Sequence, residues 1–135
     1  MDKKIQDFLK KHHLLSLATF GEGLSSCSVF YALDPSNHSL IFASDEETEH
    51  IQNIMRNNFV AGTIALETKV VGRIKGLQIK GSVQKCITTE EENWYYDRFP
   101  YAKVMKPILW KLKFESIKMT DNTLGFGKKL FWSLS

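Results

Sequence analysis

Apolar residues recur along this chain first at helical spacing and then at a spacing of two. Ile5, Phe8, Leu9 and His12 follow the i, i+3, i+4, i+7 order that lays one stripe along a helix, and Asp2 stands where a cap would. From Leu14 the pattern becomes strand-like: LLSLATF breaks at Gly21-Glu22-Gly23, then resumes as LSSCSVFYAL until Asp34-Pro35-Ser36-Asn37. This predicts two antiparallel strands joined by a tight turn. A third strand, His38 to Ala43, runs into Ser44-Asp45-Glu46-Glu47, whose serine and glutamate three apart predict a capping box and a helix beginning at Ser44. Ile51, Ile54 and Met55 would form that helix's buried face, and the helix should end near Asn57-Asn58.

FVAGTIAL (59–66) reads as nearly continuous apolar, hence a strand buried on both faces. Leu77, Ile79 and Val83 then alternate with Gln78, Lys80 and Ser82, as one face on a core requires, and Gly76 and Gly81 mark bends or close approaches. Residues 88 to 106 read as helical with a break at Pro100, and Trp94, Tyr95, Tyr96, Phe99 and Tyr101 should mostly pack against the sheet. After Pro107, Trp110, Leu112 and Phe114 share a face, but Ile117 and Met119 continue in the opposite phase, which predicts a bulge near Ser116. About six antiparallel strands with a helix after the third give a mainly β fold, a β-barrel with peripheral α-helices, because closure removes exposed edges.

The 135 residues suit a single domain, 1–135, and 43% of them are hydrophobic, enough to bury a core. No apolar run reaches membrane-spanning length, and MDKKIQDFLKKHH carries charges where a secretion signal needs an apolar stretch, so the expected compartment is the cytoplasm and no membrane partner is expected. The net charge of +3 is dispersed among acids, without an arginine stripe, which argues against a nucleic-acid partner. Cys27 and Cys86 lack metal or redox spacing and read as reduced, buried thiols. Four histidines, at 12, 13, 38 and 50, show no metal-ligand spacing, and no serine sits in a nucleophile elbow. The stretch Thr120 to Lys129, TDNTLGFGKK, places glycines and paired cations between two apolar strands, a loop able to offer backbone N–H groups to an anion.

The order ATFGEGLSSCSVFYALDPSNHSLIFASDEETEHIQNI, FVAGTIAL, IKGLQIKGSV resembles the pyridoxamine 5'-phosphate oxidase-like FMN-binding split barrels, and GLQIKG, RFPYAKVM and KMTDNTLGFGKKLFW resemble a small bacterial branch of them. The resemblance implies a split barrel, a homodimer and FMN at the subunit interface, as a redox cofactor of a small-molecule oxidoreductase or as a ligand. A sensing or storage module for flavin or haem, or a cofactor-free dimeric scaffold, is the alternative. Residue by residue, Thr48 falls where that family has its Ser/Thr, and His50 where it has the lysine that contacts the FMN phosphate. Ser44 and the helix start would donate to the same phosphate. Cys27 and Ala32 stand where the oxidases carry phosphate-binding cations on the second strand, and Gly76 where they carry a flavin-contacting glutamine, so pyridoxamine phosphate oxidation itself is not expected. The backbone of Ser26, Cys27 and Ser28 would meet the ring edge, as would that of Val60 to Thr63. Trp94, Tyr96 or Phe126 beside Lys128 would cover a ring or substrate.

Overall fold

A computed structural model describes residues 1–134. Helix α1 (Lys3–Lys11) buries Ile5, Phe8 and Leu9, and the Asp2 carboxylate accepts from the Lys4 N–H at 2.7 Å, so the helical stripe and its cap stand as the spacing predicts. Strands β1 (Leu14–Phe20) and β2 (Leu24–Asp34) form the hairpin, and β3 (Ser39–Ala43) pairs back onto β2. Helix α2 (Glu49–Arg56), β4 (Phe59–Ala65), β5 (Lys75–Lys85), helices α3 (Thr89–Arg98) and α4 (Ala102–Met105), β6 (Leu109–Asp121) and β7 (Lys129–Ser133) follow. Short 3-10 turns, Val71–Arg73 and Asn122–Leu124, precede β5 and β7.

The sheet runs β3-β2-β1-β4-β5-β6-β7, and β3 also pairs with β6. Six strands therefore close into an antiparallel barrel and the seventh is an addition. The device is the length of β6. Its first half, Leu109 to Lys113, pairs with β3, its second half, Ser116 to Thr120, pairs with β7, and its other edge lies along β5 throughout. The two halves present opposite phases because of a bulge: Lys80 faces Ser116 but Gly81 faces Phe114, so Glu115 is the extra residue. Trp110, Leu112 and Phe114 thus share the interior with Ile117 and Met119, where Leu15, Leu17, Tyr31, Phe42, Ile79 and Val83 are also buried.

Three expectations are corrected. The capping box does not form: Ser44 stays in the loop after β3, and Thr48 is the N-cap, its hydroxyl accepting from the Ile51 N–H at 3.4 Å, so α2 begins four residues later than the box implies. Met55 is exposed, and Asn53 takes the buried position beside Ile51 and Ile54, where its amide donates to Thr19 Oγ1 at 3.1 Å and to the Gly23 carbonyl at 3.2 Å. Satisfying those acceptors fixes α2 against the β1–β2 turn, which an apolar pattern cannot reveal. Strand β4 is not buried on both faces: it alternates, with Val60, Gly62 and Ile64 inward and Phe59, Ala61, Thr63 and Ala65 outward. Its outward residues are small or apolar, which disguised the alternation.

Of the 94–101 aromatics only Tyr95 is buried, Tyr96 and Phe99 pack partly against a small second cluster, and Trp94 and Tyr101 are exposed. What fastens α3 is Arg98, whose Nη2 donates to the His12 carbonyl at 2.6 Å and whose Nη1 donates to the Tyr31 carbonyl at 3.1 Å. Its guanidinium also lies 5.4 Å from the Tyr31 ring centroid. Arg98→Ala is expected to cost roughly 2 kcal/mol, the scale of losing charge-assisted bonds, read from the denaturant midpoint. A midpoint equal to wild type would remove this anchor from the account.

Candidate functional site

The end of β3 and the start of α2 make a polar corner. The Ser44 N–H donates to the Ile108 carbonyl at 3.1 Å and its own carbonyl accepts from Trp110 Nε1 at 2.8 Å, so the corner is tied to β6 from both sides. The Thr48 hydroxyl donates to the Asp45 carbonyl at 2.8 Å while capping α2. His50, in the first turn, brings Nε2 to the Ser44 hydroxyl and to within 3.3 Å of Thr48 Oγ1. Ser44, Thr48 and His50 are therefore one cluster, half-buried at the positive end of a helix. Burial lowers the His50 pKa, which favours neutral imidazole. With the Thr48 proton engaged on Asp45, the Nδ1–H tautomer lets Ser44 donate to Nε2.

Asp45, Glu46, Glu47 and Glu49 flank Thr48 along the chain, and the cation that pairs with Glu46 comes from elsewhere in the chain. Lys85 Nζ lies 3.0 Å from Glu46 Oε1 and 5.7 Å from the Trp110 ring centroid. Sequence reasoning missed Lys85 because only the β5–β6–β3 pairing carries it there, 39 residues from Glu46.

The second feature is a groove of about 700 Å³ on the outer face of the sheet. Ser16, Ala18, Ser26, Ala61 and Thr63 give it a floor of small side chains, and Gln78, Lys80, Lys118 and Phe131 rise around it. Gln78 lies two residues beyond Gly76 and was not singled out from the sequence, although the period of two places it outward. A smaller apolar hollow lined by Phe20, Leu24 and Phe59 adjoins this face through Ala18, Ala61 and Lys80. Ser28 is exposed on the outer side of β2 with Ser26, whereas Cys27 turns inward and packs against the core. Burial raises the Cys27 thiol pKa, and burial beside Glu91 and Glu92 pushes Cys86 to about 12, so both stay protonated.

Lys128 is not brought to the corner. Ala43 pairs with Leu109 at one end of β6 and Lys129 with Thr120 at the other, so Ser44 and Lys128 lie at opposite ends of that strand. Trp94 lines a separate hollow with Asp34, Glu91, Asp97 and Lys111. There Lys111 Nζ lies 2.7 Å from the buried Glu91 carboxylate. Burial alone would raise the Glu91 pKa, but Lys111 and the Thr88 hydroxyl outweigh it and hold it below the usual carboxylate range. A depressed folded-state pKa contributes stability above the unfolded value, about 4.3, that is lost as pH falls through the folded value. Glu91→Gln is expected to cost about 1–2 kcal/mol at neutral pH and to flatten the acid limb of stability against pH. An unchanged acid limb would count against this pair.

Residues 1–120 match the family model described as pyridoxamine 5'-phosphate oxidase. The chain belongs to that family. Within the pyridoxamine 5'-phosphate oxidase family its relatives include a "UPF0306 protein" of Yersinia pseudotuberculosis, 39% identical over 96% of this chain and 90% of the relative. Among solved structures the fold is similar to a heme binding protein from Mycobacterium smegmatis, with a TM-score of 0.75 and 13% identity over 98% of this chain and 59% of that one. It is also similar to a FAD-binding protein from Mesorhizobium loti, with a TM-score of 0.71 and 11% identity over 86% of this chain and 89% of that one. At such identities the structural likeness carries the split-barrel fold. No helix among the described residues is long and apolar enough to cross a membrane.

Proposed function

We propose that this protein is an FMN-binding split barrel that works as a homodimer, with flavin-dependent oxidoreductase activity on a small molecule. The observation that carries the reading is the outer-face groove, whose volume lies in the ordinary ligand-pocket range and whose small floor residues leave room for a flat ring against the sheet. The backbone of Ser26 and that of Val60 to Thr63 would meet the ring edge beside Gln78, and Ser44, Thr48 and His50 would hold the phosphate. When bound, FMN supplies the electron chemistry, while the chain binds it, orients it and excludes water. Phe20, Leu24 and Phe59 are 53%, 82% and 65% exposed on the same outer side, more apolar surface than a solvated sheet carries, which favours coverage by a second subunit.

Flavin is favoured over haem by the donor set, because among the described residues the groove lining contains no His, Cys, Met or Tyr to ligate iron. The test is an absorbance spectrum of the purified protein, after FMN addition and desalting, with sedimentation run in parallel. Flavin bands retained by a dimer support the reading, and reduction of that flavin by NADH or NADPH separates an enzyme from a sensor. A Soret band or a colourless dimer overturns the flavin assignment, and a monomer that retains flavin overturns the dimer.

A further inference from the structure

The two 3-10 turns, remote in sequence, meet at one end of the barrel. The Asn122 N–H donates to the Ile74 carbonyl at 2.9 Å, its amide donates to the Val71 carbonyl at 2.8 Å, and its Oδ1 accepts from the Gly127 N–H at 3.0 Å. Joined by that one side chain, the loops present Val70, Val71, Ile74, Leu124 and Phe126 at 52%, 56%, 41%, 41% and 81% exposure. Lys69, Arg73, Lys128 and Lys129 are exposed among them, and no carboxylate pairs with these four among the described residues. Lys75 lies 3.9 Å from the buried Asp121, and Glu67 is the remaining acid of the two loops. Gly125 and Gly127, at φ +139° and +76°, hold Phe126 out on a turn with open space around both.

We propose that this end of the barrel docks on an anionic phospholipid surface. Apolar tips ringed by unpaired cations match an interface in which side chains enter the headgroup region while ammonium and guanidinium groups meet phosphates. A second copy is a poor occupant, since a two-fold contact would set these cations against themselves. Single-stranded nucleic acid is stacked on aromatic platforms, and in these two loops a single aromatic, Phe126, stands among aliphatic residues. The proposal is independent of flavin binding.

The test is flotation of the full chain with vesicles of phosphatidylcholine alone and of phosphatidylcholine with phosphatidylglycerol. Binding is expected only to the anionic vesicles and should weaken with added salt, as screening requires. Because each surface cation contributes roughly fivefold, the Lys128→Glu, Lys129→Glu double variant should lose about thirtyfold or more. Phe126→Ser should weaken binding that persists at high salt, and circular dichroism would show that these exposed substitutions leave the fold intact. Equal binding to neutral vesicles, no binding to either, an undiminished double variant, complete competition by inorganic phosphate, or preference for an RNA oligonucleotide over the vesicles would each overturn the proposal.

Discussion

Gly81→Val is expected to lower stability by roughly 3–4 kcal/mol, at the upper end of overpacking substitutions. A Cβ at Gly81 would lie 2.3 Å from the Lys113 carbonyl oxygen and 2.8 Å from Leu112 Cδ2. The first of these is backbone and cannot swing away. Lys113 is paired with Gly81's neighbour Ser82 on one side and with Ser39 on the other, so displacing it opens the β3–β6 seam that closes the barrel. A urea titration should show a lower midpoint with little change in slope if the native state remains compact. Gly72→Ala is the control: among the described residues, nothing beyond its own turn and chain neighbours lies within 4 Å of its added Cβ, and the substitution should shift stability by less than about 0.5 kcal/mol. Equal midpoints for the two variants would mean that Gly81 is not held by the bulge geometry.

The second large effect is expected at the polar corner and rests on the proposed flavin reading. His50→Lys should raise FMN affinity about tenfold or more, because a permanent ammonium replaces an imidazole that burial keeps mostly neutral. The Thr48→Ala, His50→Ala double variant should lose affinity by a similar factor. It should also lose about 1 kcal/mol of stability with the helix cap. The pH dependence has a definite sign. Wild-type affinity should rise only as pH falls below the ordinary histidine value of about 6.5, because burial holds the His50 pKa beneath it; there His50 gains a proton and releases the Ser44 hydroxyl toward the anion, while protonation of the phosphate near 6 works against the rise. Without ligand the sign reverses, since a histidine whose pKa is lowered on folding loses stability as pH falls below the unfolded value of about 6.5. Fluorescence titration of FMN across this range reads the first effect, and the His50→Lys profile should be flatter. An affinity independent of pH in wild type, or unchanged in both variants, would place the phosphate elsewhere.

Much of the corner was legible in the sequence because its members are local. Ser44, Thr48 and His50 lie within seven residues, so the short turn from β3 into α2 brings them together even though the capping box pointed to the wrong residue. The groove was less legible. Lys80 was recognisable as outward from its alternation, and Ser26 and the Val60 to Thr63 backbone only as ring-edge groups implied by the resemblance, but Gln78, Lys118 and Phe131 join them only through pairings of β5, β6 and β7. Lys85 had no sequence signal because its partner is set by barrel closure.

By itself the sequence determined what depends on neighbours along the chain: the N-terminal amphipathic helix, the β1–β2 hairpin with its glycine turn, the helical break near Pro100, and the bulge, visible as a change of phase between Phe114 and Ile117. These follow from periodicity, turn chemistry and pleat, all of which act over a few residues. Tertiary structure alone decided that β6 is shared between β3 and β7, that β4 keeps an uncovered face, and that Lys85 pairs with Glu46 ahead of α2. It also decided that Asn122 joins the TDNTLGFGKK loop to the Val71–Arg73 turn. The physical reason is that a strand's side-chain pattern specifies which face turns inward but not which strand lies beside it; that choice is made by closure of the barrel, where every edge must find a partner.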